Sequence, residues 1–186
     1  MNANPSAHSS NLLCCVLGVA ALAQEKPQAS DVVSQDNPFS AWNKRGYGSV
    51  KKMLIAFAEK MPEENYGFRP TDAVRSFGQL VGHVADGQYL FCSMVVGEKN
   101  PSPGVEKGKT SKADLVQALK DAVSYCDKAF EGLTDAHAAD MIKVFGRDST
   151  KLGALTFNSA HTMEHYGNMV TYMRMKNLVP PSSESR

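Results

Sequence analysis

The sequence has little excess charge of either sign and no apolar run long enough to cross a bilayer. Its 20 Lys and Arg residues are balanced by 19 Asp and Glu residues, which gives a net charge of +1. Because no basic stripe stands out, we do not expect nucleic acid as a partner. The apolar run at positions 12–23 has 12 residues, whereas a membrane helix needs about 20. We therefore expect no stable membrane span.

Several motifs of redox, haem and nucleotide-binding proteins are also absent. The sequence has no CxxC pair, no CxxCH motif and no glycine-rich phosphate loop. The stretch "HTMEH" at 161–165 contains two histidines four residues apart, but it is not the HExxH motif of zinc proteases. Glu164 has the wrong spacing for that motif, and on a helix it points away from His161. These absences leave the two histidines as the feature to explain.

The N-terminal segment has the features of a secretory signal peptide. The first 23 residues contain no Lys, Arg, Asp or Glu, and their apolar run ends in Ala21-Leu22-Ala23. This ending is typical of a cleavage site and predicts removal of residues 1–23 before Gln24. The usual positive charge before the run is missing, and a disordered tail with an apolar patch is the alternative. A signal peptide predicts an exported, periplasmic or extracytoplasmic protein; the alternative predicts a cytoplasmic one.

Two cysteines remain after the predicted cleavage. Cys92 and Cys126 both fall on apolar helix faces, where cysteine usually serves as a small core residue. An oxidising compartment would also permit a disulfide between them. The sequence leaves both possibilities open.

The mature chain contains four amphipathic helical segments and no alternating pattern typical of strands. The whole sequence of 186 residues fits a single globular domain, which we expect to be an all-α, four-helix bundle. Residues 24–37 form a polar leader, and a short helical turn and a loop are expected before the last helix. Phe39 and Trp42 are predicted to cap the bundle. The helices are predicted from Trp42 to Pro62, from a capping box at Ser76 and Gln79 to Gly97, from Ser111 to Phe130, and from about Thr150 to Asn177.

Three of the five histidines fall on candidate inner flanks of two helices. His161 and His165 lie off the main apolar stripe of the last helix, beside Met169 and Tyr172. His83 lies about 100° off the stripe of the second helix. An isolated pair four residues apart is weak evidence of a metal site, and a lone helical histidine is usually a core or boundary residue. If the two flanks face each other, however, three imidazoles meet, which is how metal sites in bundles are built.

The segments that carry these histidines resemble the DinB-like (DinB/YfiT) family of metalloenzymes. The resemblance rests on "YGFRPTDAVRSFGQLVGHVADGQYLFCSMVVGE" (66–98) and "SAHTMEHYGNMVTYMRMKNLVPPSS" (159–183), and it covers about residues 38–183. It implies a four-helix bundle, a divalent metal ion, commonly zinc or nickel, and in many relatives a homodimer. Carried over by position, it implies that His83, His161 and His165 are the metal ligands.

An open three-histidine site predicts metal-assisted chemistry on a small-molecule substrate. Three imidazoles leave a coordination position free, where a bound water can become a nucleophile near neutral pH. The resemblance implies thiol-dependent transferase or isomerase activity, whereas export favours metal-dependent hydrolysis. We expect Asp86, three residues after His83, to be a catalytic proton carrier or a partner of that ligand, with a solvated helix charge as the alternative. The non-catalytic alternative is an exported metal-binding or stress-related dimeric bundle.

Overall fold

The computed structural model describes residue 1 and residues 36–184, and in this part of the chain it is mainly helical. All of the elements below belong to one compact unit, Val33–Arg186. The predicted all-α class and the four long helices are confirmed. In chain order the elements are α1 (Pro38–Lys60), α2 (Phe77–Val96), α3 (Val105–Gly108), α4 (Lys112–Gly132), α5 (Asp135–Ala138), β1 (Met141–Val144), β2 (Arg147–Thr150) and α6 (Lys151–Met175).

The four long helices form a bundle in which α2 and α6 are neighbours. Helix α1 contacts α4 and α6, and α2 also contacts α4 and α6, so the order around the bundle is α1, α4, α2, α6. The main core lies between these helices, and a smaller apolar cluster lies around Tyr47, Cys92, Cys126 and Phe130. The two helices that carry the three candidate ligands therefore pack directly against each other.

Side-chain caps explain where three of the long helices begin. At α2 the Ser76 hydroxyl accepts a hydrogen bond from the backbone nitrogen of Gln79. The side-chain oxygen of Gln79 in turn accepts one from the backbone nitrogen of Ser76. This is the predicted capping box, which satisfies two backbone donors that the first turn leaves without partners. Ser111 caps α4 and Thr150 caps α6 in the same way with one bond each. The predicted starts of these helices are thus confirmed.

The predicted apolar stripes are correct for α2 but only partly correct for α1 and α6. The sequence pattern of α2 predicts a stripe whose residues are all buried: Phe77, Leu80, Val81, Val84, Phe91 and Val95. In α1, Phe39 and Trp42 are 68% and 67% exposed, so the prediction that they cap the bundle is wrong. The buried face of α1 instead runs through Tyr47, Leu54 and Phe57. The sequence pattern of α6 predicts a buried stripe through Leu155, Met163 and Tyr166, but Met163 is 42% exposed.

A β-hairpin replaces the loop that was expected before the last helix. Strands β1 and β2 pair antiparallel, with Met141 opposite Thr150 and Val144 opposite Arg147. The two turn residues, Phe145 and Gly146, have positive φ angles of 50° and 76°. Two consecutive left-handed residues form the turn that suits a two-residue hairpin. Glycine adopts this conformation without strain, whereas Phe145 is an unusual choice for it. The short turn of helix predicted nearby is present as α5.

A disulfide joins α2 to α4. Cys92 and Cys126 are bonded through their sulfurs, with Cα atoms 5.2 Å apart, and both are fully buried. Of the two possibilities that the sequence left open, the structure therefore has the bridge. Because its sulfur is in the disulfide, Cys92 offers no thiolate that could close a metal site as a fourth ligand.

The N-terminal predictions concern residues that the structure does not describe. The predicted signal peptide, residues 1–23, lies outside the described residues except for Met1, and so do positions 24–35 of the predicted leader. Among residues 36–184, no helix combines the length and the apolar character that a membrane crossing requires.

Candidate metal centre

Three imidazole rings converge between α2 and α6. The Nε2 atom of His161 lies 3.1 Å from Nε2 of His83 and 3.1 Å from Nε2 of His165. One ligand atom from each histidine lies within 4.8 Å of the other two. A tetrahedral ion with metal–nitrogen bonds of 2.0–2.1 Å holds its ligand nitrogens about 3.3 Å apart. The predicted grouping of the three side chains is therefore present, at a spacing close to that of a tris-imidazole site.

Hydrogen bonding alone does not account for this arrangement, whereas a cation does. A neutral imidazole nitrogen carries either one hydrogen or one in-plane lone pair, so Nε2 of His161 can satisfy one of its two close neighbours but not both. A cation placed among three lone pairs satisfies all of them. The donor set, three nitrogens without a thiolate, suits zinc, nickel, copper or iron. The three residues thus fit a divalent ion.

Burial keeps two of the three histidines, His161 and His165, neutral. Burial lowers the pKa of His161 to about 4, and repulsion from His165 and His83 acts in the same direction. Burial also lowers the pKa of His165 to about 4, with further repulsion from His83 and Arg75. A metal binds the unprotonated ring, so these two residues need to release no proton at neutral pH before they bind an ion.

A buried amide network fixes the register between the two ligand helices. The Gln88 side chain of α2 donates to the Thr162 hydroxyl of α6 over 2.8 Å, and Asn158 of α6 donates back to Gln88 over 3.0 Å. All three side chains are at most 1% exposed. Sliding of α6 along α2 would break both hydrogen bonds. This would cost free energy, because buried amides are costly to leave unpaired. The network therefore holds His161 and His165 level with His83.

The carboxylate of Glu106 contacts the histidine cluster, although no sequence pattern suggested Glu106 as a site residue. Glu106 Oε2 lies 3.0 Å from Nδ1 of His83, and Glu106 Oε1 accepts a hydrogen bond of 2.9 Å from Nε of Arg75. Glu106 belongs to the four-residue helix α3, in a connection rich in Gly and Pro. No periodic pattern marks this segment. A carboxylate 23 positions after a histidine is not, by itself, a signal of contact.

Asp86 lies beside this segment, and its carboxylate is occupied by backbone hydrogen bonds. Its oxygens accept hydrogen bonds from the amide nitrogens of Gly104, Val105 and Glu106 at 2.8, 2.7 and 2.9 Å. The carboxylate that lies within hydrogen-bond distance of the candidate ligand His83 is that of Glu106. The catalytic role expected of Asp86 stays a prediction.

A cleft of about 540 Å³ opens beside the histidine cluster. His165 is part of its wall, together with Arg69, Arg75, Glu106 and Glu164. Tyr172 lines it as well and donates a hydrogen bond of 2.9 Å to the backbone oxygen of Arg75. A groove of similar volume near Trp42 is lined mainly by apolar side chains and includes none of the three histidines. The cleft at His165 is therefore the candidate substrate site.

Comparisons with known proteins connect this geometry to a family. The family model described as the DinB superfamily matches residues 48–169, a range that includes all three histidines, Asp86 and Glu106. The uncharacterized protein YjoA of Bacillus subtilis is 29% identical over 129 residues, which are 68% of this chain and 83% of that protein.

Two crystal structures show the same fold. That of the DinB-like protein YjoA of Bacillus subtilis has a TM-score of 0.63 at 24% identity and covers 78% of this chain and 99% of its own. That of a DinB-like protein of Bacillus cereus has a TM-score of 0.64 at 18% identity, covering 77% of this chain and 94% of its own. The resemblance and the bundle fold expected from the sequence are thereby confirmed.

Proposed function

Because the chain belongs to the DinB superfamily, we propose that it is a metal-dependent enzyme whose metal centre is formed by His83, His161 and His165. The observation that carries this proposal is the convergence of three Nε2 atoms from two helices. Zinc and nickel are the ions we propose, since both accept neutral imidazole ligands.

The chemistry we propose is hydrolysis of a small molecule. A divalent ion with an open coordination position lowers the pKa of a bound water towards about 7 and polarises a carbonyl or phosphoryl oxygen. The residues of this chain would bind that ion through three neutral rings and orient the substrate in the cleft. Glu164 and Arg75, on the cleft wall with His165, offer one acceptor and one donor to a substrate.

The disulfide favours hydrolysis over thiol-dependent transfer. Bridges such as Cys92–Cys126 persist mainly in oxidising compartments. This supports the proposed export of the mature chain through a signal peptide at residues 1–23. A transferase that uses a small reduced thiol would be separated from the reducing pool of the cytoplasm. Thiol-dependent transfer would be the better proposal for a chain that stays in the cytoplasm.

Turnover by metal-loaded and metal-free protein tests the proposal. We expect protein reconstituted with zinc or nickel to hydrolyse members of an ester, amide and phosphoester panel, and chelator-treated protein to be inactive. His83→Ala, His161→Ala and His165→Ala should each remove stoichiometric metal and activity together. His137→Ala is the matched control, because His137 is exposed and pairs with Asp140 away from the centre. Stoichiometric metal in all three ligand variants would defeat the site assignment.

The same panel separates catalysis from storage. A non-catalytic exported metal-binding bundle would bind the ion through the same three histidines but turn over no ester, amide, phosphoester or thiol conjugate. Sedimentation of the purified chain tests the homodimer implied by the family resemblance, which stays a prediction.

A further inference from the structure

We propose that Glu106 fixes the tautomer and orientation of the metal ligand His83, and that Asp86 is the positioning residue that holds Glu106 in place. This inference rests on the proposed metal centre. It gives the outer hydrogen bond of the centre to a residue of the connection between α2 and α4, rather than to a residue of the bundle helices.

The hydrogen bond between Glu106 and His83 has a defined direction. An ionised carboxylate only accepts hydrogen bonds, so the Nδ1 atom of His83, 3.0 Å from Glu106 Oε2, carries the proton. In a neutral ring, Nε2 then has a free lone pair, and it is Nε2 that faces His161 at 3.1 Å. A carboxylate behind a ligating imidazole also makes that ring a better electron donor. Glu106 therefore selects the tautomer in which His83 can bind a metal.

Arg75 completes the environment of the carboxylate. Its Nε donates to the other oxygen of Glu106 over 2.9 Å, so the two carboxylate oxygens have different partners. The Glu106 side chain is 21% exposed, whereas that of Arg75 is 42% exposed. An ion pair with one partner this exposed contributes modestly. The arginine thus adds a second, weaker restraint on the rotation of Glu106 that would break its bond to His83.

The position of Glu106 depends on how the chain from Gly104 to Glu106 is attached to α2. Asp86 accepts hydrogen bonds from three consecutive amide nitrogens of this segment. At Gly82, one turn before Asp86, a Cβ atom would lie 2.7 Å from Cα of Glu106, so α2 and the segment approach too closely for a side chain there. Asp86 and Gly82 together hold the backbone of Glu106 against the helix that carries His83.

The other two ligands lack such a partner. Nδ1 of His161 and Nδ1 of His165 are buried and have no hydrogen-bond partner among the described residues. The orientation of these two rings depends on packing and on the register of α6. Loss of Glu106 should therefore weaken the contribution of His83 in particular, and leave the other two rings in place.

Zinc affinity and the tautomer of His83 test this inference. We expect Glu106→Ala to weaken zinc binding about 10- to 100-fold, the usual cost of removing a partner of a ligand. Glu106→Gln retains a carbonyl oxygen that can accept from Nδ1 but removes the charge, so we expect a smaller loss of about tenfold. Affinity would be measured by competition with a chromophoric chelator.

Long-range proton–nitrogen NMR correlations of the imidazole rings report the tautomer in metal-free protein. We expect wild-type and Glu106→Gln proteins to carry the His83 proton on Nδ1, and Glu106→Ala to show a mixture of both tautomers. Asp86→Asn should shift affinity and tautomer in the direction of Glu106→Ala, because an amide cannot accept the same set of backbone bonds as a carboxylate. A loss of thermal stability alone would not change the tautomer.

Glu131→Gln is the matched control. Glu131 is an exposed residue of α4, which carries none of the three histidines, so this variant removes a carboxylate charge without touching the cluster. Wild-type zinc affinity in both Glu106 variants would overturn the inference, and so would an equal loss in Glu131→Gln. An unchanged Asp86→Asn protein would overturn the role of Asp86. If wild-type protein binds neither zinc nor nickel, the proposed function fails, whereas the tautomer of metal-free His83 still tests the role of Glu106.

Discussion

At the scale of single residues, the space for His161 depends on the absence of a side chain at Gly87. A Cβ atom at this position of α2 would lie 3.0 Å from Cε1 and 3.2 Å from Nδ1 of His161. Such contacts are tighter than ordinary van der Waals distances, so the ring would have to move by a few tenths of an ångström. Metal geometry is sensitive to shifts of this size. Gly87 therefore permits the close approach of α6 that brings the ligands together.

We predict that Gly87→Ala weakens zinc binding several-fold, because the added methyl group displaces the His161 ring. In a helix, alanine is intrinsically favoured over glycine by about 1 kcal/mol, which offsets part of the crowding, so the metal-free protein should lose little stability. Gly167→Ala is the control, since a Cβ at this site in α6 meets nothing within 4 Å. The control should bind zinc as the wild type does. Equal zinc affinity in Gly87→Ala would contradict the account of this contact.

The lowered pKa values of His161 and His165 predict a pH-dependent stability of the metal-free protein. Their pKa is about 4 in the folded chain and about 6.5 in an unfolded chain. Between these values the unfolded chain takes up protons that the folded chain does not. Stability is therefore present in full above about pH 6.5 and is lost as the pH falls towards about 4.

Urea unfolding of chelator-treated protein measures this effect. The loss of unfolding free energy between about pH 7.5 and about pH 4.5 should be smaller in a His161→Gln, His165→Gln double variant than in the wild type. Carboxyl groups titrate alike in both proteins and cancel in the comparison. An identical pH dependence would show that these rings are not held neutral by the fold.

At the scale of elements, the disulfide joins helices that lie far apart in the chain. Cys92 of α2 and Cys126 of α4 are separated by 34 positions, with the connection that carries Glu106 between them. Closing a loop of this size restricts the unfolded chain, which stabilises the fold by about 2–4 kcal/mol. The bridge therefore limits how far α4 and the connection can separate from α2.

We predict that a Cys92→Ala, Cys126→Ala variant loses about 2–4 kcal/mol of unfolding free energy, measured by denaturant titration. It should retain its histidine cluster, because the register of α6 on α2 depends on Gln88 and Thr162. Thiol titration of the denatured wild-type protein provides the control and should detect neither of these two cysteines. Two reactive thiols there, or equal stability of the variant, would contradict a structural bridge.

Sequence patterns predict the elements that have local signals, such as caps and apolar stripes. They do not predict the elements that lack such signals. Helices α2 and α4 were predicted because Ser76 and Ser111 provide caps and their buried faces are apolar. The buried face of α6 was misplaced because Asn158, Thr162 and His165 occupy it, and polar residues give no apolar stripe. The hairpin was missed because Phe145 and Gly146 are not a familiar turn pair.

The candidate site was predictable only as far as the helices determine it. His83, His161 and His165 lie on regular helices, so their faces follow from their numbering. The position of Glu106 instead depends on tertiary bonds from Asp86 to the backbone of a connection, which no local pattern encodes. The sequence consequently suggested Asp86 as the partner of His83, while the structure places Glu106 there.

At the scale of the whole molecule, the bundle brings together residues from distant parts of the chain. His83 and His161 are 78 positions apart, yet α2 and α6 are neighbours because the bundle places α2 opposite α1 and α6 opposite α4. A bound ion would link these two helices and stabilise the folded state by a free energy that rises with the logarithm of its affinity. The proposed metal centre would thus stabilise the fold as well as provide the site of chemistry.

X-ray absorption at the edge of the bound metal, on protein purified without added chelator, tests the central claim most directly. We predict one zinc or nickel ion per chain, with three imidazole nitrogens at about 2.0–2.1 Å for zinc and one further light-atom ligand. Protein without a stoichiometric ion, or an ion bound by fewer than three imidazoles, would contradict the account.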